Sequence, residues 1–251
     1  MSRSRRAADV ALAAVAFVVA WKVIVVAGNY PPFILPPPEA VAGRFVSAWL
    51  DGTLEVNTAQ TLVEILLGFA AGATVALAAG YALARSHLLE RVLSPYLVAA
   101  QATPILALAP LLVIWFGSGL LSKVLICALI VFFPVAVATM VALRSVDRRL
   151  LEMARSFRAT RWQLLVTLEL PAALPGIMGG MRVGVTLAVV GAIIGEWAGG
   201  DRGLGVLINL ARGSLLDIPL LFATLLTIAL VGVVLYVIVV AVERRLVGAR
   251  G

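Results

Sequence analysis

Two acidic residues stand within or at the end of apolar stretches of this sequence. Glu64 lies about two helical turns into one apolar run, and Glu196 ends another, next to Trp197. An ionised carboxylate at the centre of a membrane-spanning helix costs at least ~2.5–3.5 kcal/mol, so a carboxylate found there is a candidate for ligand contact. The structural alternatives are a buried tie from Glu64 to an Arg or a backbone group, and an interfacial position for Glu196. The candidate residues for a polar path across a membrane are Glu64, Gln101, Thr103, Pro104, Thr139, Glu196 and Trp197.

A charged block at residues 144–172 lies between two long apolar runs. Asp147 is of a type favoured at helix N-caps, and apolar residues then recur at helical spacing as far as Phe157. Thr160 and Gln163 have the spacing of a capping box, which predicts a second short helix. Two short helices joined by a bend form a rigid knob suited to contact with a partner outside the membrane. The alternative is an amphipathic loop packed on lipid headgroups.

The elements that must carry these residues are membrane spans. The 251 residues are 62% hydrophobic and 13% charged, whereas about a quarter of residues are charged in a soluble domain. A helix needs about 20 apolar residues to cross a hydrocarbon core of ~30 Å. Pro104 and Pro110 break the third such run, and freed backbone carbonyls are tolerated only against protein or a wet cavity. We expect an all-α polytopic membrane protein with about six transmembrane helices, at 8–28, 58–84, 93–116, 119–143, 174–197 and 219–242.

Basic residues are distributed unevenly about these spans. Most Lys and Arg residues fall in the N-terminal segment, the C-terminal segment and alternate loops. The positive-inside rule therefore predicts cytoplasmic N- and C-termini for a multi-pass protein of the inner (plasma) membrane. The net charge of +7 is explained by arginines near lipid headgroups, without a nucleic-acid partner. The chain has one Cys, Cys127, and one His, His87, so no disulfide framework and no metal site are expected.

The chain divides into two parts. Residues 1–56 hold the first span, a Pro-rich extended stretch and, at residues 39–50, a short helix predicted to lie on the outer, periplasmic side. Residues 57–246 form the core, with five spans and the charged block between two of them.

The charged block resembles a known cytoplasmic motif. Glu152, Ala154 and the Leu170-Pro171 pair are similar to the "EAA" loop of ABC-importer permeases, in which this loop inserts into a groove of the ATP-binding subunit. Gln101-x-Thr103-Pro104 and Gly195-Glu196-Trp197 with Gly203-Leu-Gly205 further resemble the nitrate/sulfonate/taurine type of permease. The resemblance implies an ATPase-docking role for Glu152, Ala154, Arg155, Phe157, Arg158, Ala159, Leu170 and Pro171.

The block departs from the family pattern at two positions. Arg158 stands where the family has Gly, and Met153 occupies the second position of the motif. A Gly at a bend often supplies a positive φ, which costs another residue roughly 1–2 kcal/mol. Either the bend is built differently here or Arg158 makes a compensating contact.

The resemblance implies a type I ABC-importer permease architecture with cytoplasmic coupling helices. It also implies four kinds of partner: ABC ATPase subunits, a periplasmic or lipid-anchored solute-binding protein, a second permease copy and the lipid bilayer. The chain has no G-x-x-x-x-G-K-[ST] motif, so ATP and Mg are expected on the partner ATPase, with no cofactor and no enzymatic activity on this chain. A secondary transporter would show internal repeats, and a channel would show a filter sequence or charge rings; neither pattern stands out.

The sequence motifs most resemble the branch that imports thiamine-pyrimidine precursors or related aromatic heterocycles. Nitrate, taurine and alkanesulfonates are the alternative substrates. An acidic Glu64 in place of a basic residue disfavours a small anion as cargo, because a buried carboxylate would repel it.

Overall fold

The computed structural model describes residues 3–102 and 104–248, and within these it leaves aside the side chains of residues 3–8, 10, 94, 97, 98, 100–102 and 148. Every regular element in the described ranges is helical, which confirms the all-α prediction. A π-helical turn, Leu165–Glu169, joins the eighth helix to the ninth. The helices are α1 (Arg3–Ala27), α2 (Pro38–Leu50), α3 (Thr53–Arg85), α4 (His87–Ala102), α5 (Ile105–Phe116), α6 (Leu120–Arg144), α7 (Arg148–Ser156), α8 (Arg161–Leu164), α9 (Leu170–Gly199), α10 (Leu204–Arg212) and α11 (Ile218–Gly248).

Four described helices are long and apolar enough to cross a membrane: α3, α6, the continuous helix Arg161–Gly199, and α11. They correspond to four of the six predicted spans. The apolar part of α1, Ala11–Ala27, is shorter, and the predicted span 93–116 is divided between α4 and α5. Pro104 lies at this division, whereas Pro110 lies inside α5 and does not break it. The count of six spans therefore stays a prediction.

Helices α3 and α9 both pack along α6 to form the centre of the bundle. Their contact is close because small residues line it. A Cβ added at Gly72 of α3 would lie 2.6 Å from the carbonyl oxygen of Ala128 on α6. A Cβ added at Gly176 of α9 would lie 2.7 Å from Cβ of Ala142. The spacing of glycines four residues apart thus permits tight helix packing, as expected for membrane helices.

The first helices lie at the periphery. Helix α1 is exposed along most of its length, and α2 packs against α11. Pro38 occupies the first turn of α2, where its missing N–H leaves no hydrogen bond unmade. The short helix predicted at residues 39–50 is therefore present.

The bundle has two distinct ends. Helices α7 and α8 lie at the end where α3 finishes, since Arg85 of α3 contacts Glu169 just after α8. Helix α10 lies at the opposite end, where α3 begins, since Gly203 contacts Asn57. We call residues 147–164, which hold α7, the bend and α8, the knob.

Candidate functional site

A buried ion pair joins α3 to α6 inside the bundle. The Nζ atom of Lys123 lies 3.0 Å from Oε1 of Glu64, and the two side chains are 2% and 0% exposed. Gln60 donates a second hydrogen bond to the same oxygen at 2.8 Å. The other oxygen, Oε2, has no hydrogen-bond partner among the described residues. Glu64 is thus a buried tie, and its partner is a Lys where the sequence alternative proposed an Arg or a backbone group.

Glu196 lies beside this pair, buried near the end of α9. Its Oε1 accepts a hydrogen bond of 2.6 Å from the hydroxyl of Thr61. Its Oε2 accepts a hydrogen bond from the N–H of Gly205. The carboxylate therefore sits at the N-terminus of α10, where the helix dipole favours negative charge. Glu196 is thus buried inside the protein, 2% exposed.

The start of α10 is capped by side chains from other helices. The N–H of Leu204 donates to the Thr61 hydroxyl at 2.9 Å, and the N–H of Gly203 donates to Oδ1 of Asn57 at 2.7 Å. Gly203 itself offers no side-chain cap, and its φ of +133° is a conformation that glycine adopts readily. We call Asn57, Thr61, Glu64, Lys123 and Glu196 the polar cluster.

Three members of the polar cluster were not predicted as site residues. Asn57 and Thr61 precede Glu64 by seven and three positions, which puts all three on one face of α3. That spacing could have placed Asn57 and Thr61 in one site with Glu64. Lys123 was harder to assign from sequence, because its partner depends on how α6 packs against α3.

The remaining path candidates are dispersed. Thr139 lies about 24 Å along α6 from Lys123, at 1.5 Å per residue, and its hydroxyl donates to the carbonyl oxygen of Val135 at 2.7 Å. Trp197 is 46% exposed, and its Nε1 donates to the carbonyl oxygen of Gly205 at 2.9 Å. Pro104 is the residue before α5. The side chain of Gln101, and Thr103 as a whole, lie outside the described residues.

The ion pair of Glu64 bears on whether the transported substrate could be an anion. An unpaired Glu64 carboxylate would repel a small anion. Lys123 neutralises this charge, and both side chains are withdrawn from solvent. The Glu64 charge therefore gives no reason to exclude an anion.

The knob forms as its local sequence predicts. The side chain of Asp147 accepts a hydrogen bond from the N–H of Arg149 at 2.8 Å, which caps α7. Thr160 and Gln163 form a reciprocal capping box at the start of α8. Both predicted caps are confirmed.

The bend keeps the left-handed conformation even though its residue is Arg. Arg158 has φ of +58°. Its N–H donates to the carbonyl oxygen of Arg155 at 2.9 Å, and the N–H of Ala159 donates to that of Ala154 at 3.2 Å. These two hydrogen bonds form the Schellman motif that usually ends in glycine. Arg158 therefore holds the bend with its backbone, and its side chain is exposed.

The surface of the knob is apolar and basic at once. Phe157, at the bend, is 79% exposed, and Met153 and Trp162 are also exposed. Glu152, Arg155 and Arg158 of the same segment are exposed as well. Ala154, Ala159 and Pro171 are half-buried, and Leu170 is exposed. Large exposed apolar side chains rimmed by charges mark an interaction surface.

Ion pairs fix the chain segments on either side of the knob to the bundle. The guanidinium of Arg85 binds both oxygens of the buried Glu169 and lies 4.9 Å from the ring centre of Tyr81. Arg144, at the end of α6, donates to the carbonyl oxygen of Leu83 at 2.7 Å and pairs with Glu90. Hydrogen bonding from Arg144 holds the pKa of Glu90 below its ordinary value. The segments that lead into and out of the knob, which we call its base, are thus both tied to α3.

The sequence resemblance predicted helices that cross a membrane and a two-helix block between two of them, and the structure has helices long and apolar enough to cross and the two-helix knob. Residues 68–248 match the family described as the binding-protein-dependent transport system inner membrane component, and the chain belongs to this family. It is a transporter subunit of the membrane, related to permeases of ABC importers.

Relatives with named substrates cover most of the chain. The riboflavin transport system permease protein RibX of Chloroflexus aurantiacus is 48% identical over 90% of this chain and 84% of its own length. The formylaminopyrimidine transport permease protein ThiX of Halalkalibacterium halodurans is 32% identical over 98% of this chain and 97% of its own length.

A solved structure has the same fold. A chain of the MetNI methionine ABC transporter, in an inward-facing conformation, superposes with a TM-score of 0.67. The superposition covers 76% of this chain and 94% of that chain, at 20% identity. At this low identity the superposition shows a shared fold, that of an ABC-importer permease.

Proposed function

We propose that this chain is the permease subunit of an ATP-driven importer for an aromatic heterocycle, with riboflavin as the first candidate and a thiamine-pyrimidine precursor as the second. The observation that carries the substrate class is the 48% identity to a riboflavin permease along 90% of the chain. The lower identity to a formylaminopyrimidine permease, 32%, supports the same class of flat, nitrogen-rich molecules.

The knob is the proposed docking site for the ATPase. Phe157 projects into solvent at the bend, and Glu152, Arg155 and Arg158 provide charges around it. An aromatic side chain that a partner would bury, with charges around it, is the composition expected of an interface centre. The docking residues Ala154, Ala159, Leu170 and Pro171 complete the surface on its bundle side.

Force applied at the knob has a direct route into the membrane. Helix α8, the π-helical turn and α9 form one continuous helix, Arg161–Gly199, so a push on α8 moves α9. The Arg85–Glu169 ion pair carries the same push to α3. Closure of the ATPase pair would thus shift α9 and α3 together and alternate the access of a central path between the two sides.

One chain supplies half of the proposed pathway. A second copy of the permease would form the other half, ATPase subunits on the cytoplasmic side would hold ATP and Mg, and a solute-binding protein would deliver the substrate from outside. This assignment puts both chain termini in the cytoplasm and α10 at the outer surface.

Uptake into proteoliposomes tests the proposed cargo. The permease, its ATPase and its binding protein would be reconstituted, and uptake of labelled riboflavin measured with and without ATP. We expect ATP-dependent uptake that excess riboflavin abolishes and excess taurine leaves unchanged. Uptake of taurine, nitrate or an alkanesulfonate instead would contradict the substrate class. Uptake without ATP would contradict the importer and favour a secondary transporter.

A further inference from the structure

We infer that the first turn of α10 is a releasable cover over the polar cluster, held closed by Asn57, Thr61 and Glu196. The link between its movement and the transport cycle rests on the proposed function. The movement itself is a property of the chain.

The contacts that close the cover come from two different helices, α3 and α9, which can shift relative to each other. Asn57 and Thr61 lie on α3, while Glu196 lies on α9, and together they accept the N–H groups of Gly203, Leu204 and Gly205. Helix α10 has no side-chain cap of its own. Because the caps are distributed over α3 and α9, a shift between these two helices breaks them together.

The segments before and after α10 contain residues with positive φ angles, as a hinge would. Gly203, before the helix, has φ of +133°. Gly213 follows the helix, and Leu216 beyond it has φ of +49°, a conformation that a Leu side chain disfavours. The nine residues of α10 thus lie between two segments whose backbone departs from regular structure.

The ion pair next to Glu196 supplies the free energy that opposes closure. Glu64 and Lys123 are withdrawn from water, and Oε2 of Glu64 has no hydrogen-bond partner among the described residues. Desolvation of an ion pair opposes its burial. Water that reaches Glu196 when the cover lifts would also hydrate this neighbouring pair, which offsets the loss of the three caps. Two states of comparable free energy are the requirement for a switching element.

The underside of α10 limits the movement to its first turn. Leu204, Leu207 and Ala211 are buried in an apolar cluster with Ala48 and Leu220. Lifting the whole helix would expose all of this surface, whereas tilting it about its C-terminal end exposes only its first turn. Leu207, which is 3% exposed, is therefore a reporter of the open state.

Thiol labelling measures the opening directly. In a Cys127→Ala background, which removes the one native cysteine, Leu207→Cys would report opening and Leu210→Cys, 43% exposed, would serve as the control. The purified chain in lipid nanodiscs would be treated with a maleimide. This assay requires no ATPase or substrate, so it fails or succeeds independently of the proposed function.

Variants that remove a cap of α10 and a variant that removes the buried ion pair should change the labelling rate at Leu207→Cys in opposite directions. Thr61→Val removes the hydroxyl that links Leu204 and Glu196 and should raise the labelling rate at Leu207→Cys by about fivefold per hydrogen bond lost, whereas Thr61→Ser should not. Asn57→Ala, which removes one cap, is the second variant. The pair Glu64→Gln with Lys123→Met removes the gain from hydration and should lower the rate below that of the parent.

The control position separates opening from loss of fold. We expect Leu210→Cys to be labelled at one rate in all these backgrounds. Equal labelling of Leu207→Cys in the Thr61→Val, Asn57→Ala and parent backgrounds would overturn the proposal. So would a parallel rise at both positions, because it would indicate general loosening and not movement of the first turn.

Discussion

The ammonium group of Lys123 lies 3.0 Å from the carboxylate of Glu64, and both side chains are almost wholly withdrawn from solvent between α3 and α6. Gly195 on α9 packs closely against Lys123, since a Cβ there would lie 3.2 Å from Cα of Lys123. The pair therefore sits where three central helices meet.

Breaking this pair from one side should be more harmful than removing it. Glu64→Gln or Lys123→Met alone leaves one buried charge unpaired, which costs about 3–5 kcal/mol of stability. The double variant leaves no charge and should be close to the wild type. Thermal unfolding of the purified proteins in one detergent measures this. Additive losses in the double variant would show that the two side chains act independently.

Replacing Arg158 by glycine should relieve strain at the bend of the knob. A non-glycine residue at φ of +58° costs roughly 1–2 kcal/mol, so Arg158→Gly should slow hydrogen exchange of the Ala159 amide, whose N–H closes the Schellman motif. Arg158→Ala keeps the strain and is the matched control. Equal exchange in the two variants would contradict a strained bend.

Breaking the ion pair at the base of the knob should weaken coupling. Glu169→Gln removes the partner of Arg85, and changes along a coupling route alter coupling by about 2- to 30-fold. We expect reduced ATP-driven uptake while the ATPase still binds. Glu243→Gln, which breaks the Arg182 pair between α9 and α11, is the control because it does not touch the knob. Equal losses in both variants would argue against a specific route through Glu169.

Local features of this chain were predictable, and long-range pairings were not. The caps at Asp147 and Thr160 follow from residues within three positions of each other, so their sequence spacing determines them. The long apolar helices follow from composition in the same way. Arg158 is an exception to local prediction. An Arg is unfavourable in the left-handed conformation, yet the bend at Arg158 adopts it.

The polar cluster shows why part of the site escaped prediction. Glu64 and Glu196 stood out as acids in apolar runs, but their partners Lys123 and Thr61 depend on the register of three packed helices. That register is set by many small contacts, such as Gly72 against Ala128. A single sequence contains no direct record of which residues face each other across helices distant in the chain.

The most direct test of the account is whether the knob binds an ATPase. The tagged chain would be purified gently from its own cells, and the bound proteins identified by mass spectrometry. We expect an ATPase to co-purify with the wild type and with Phe33→Ala, which truncates an exposed Phe outside the knob. It should be lost with Glu152→Ala and Phe157→Ala. A folded wild-type chain that retains no ATPase in several detergents would contradict the importer assignment, and an ATPase retained equally by all four proteins would contradict docking at the knob.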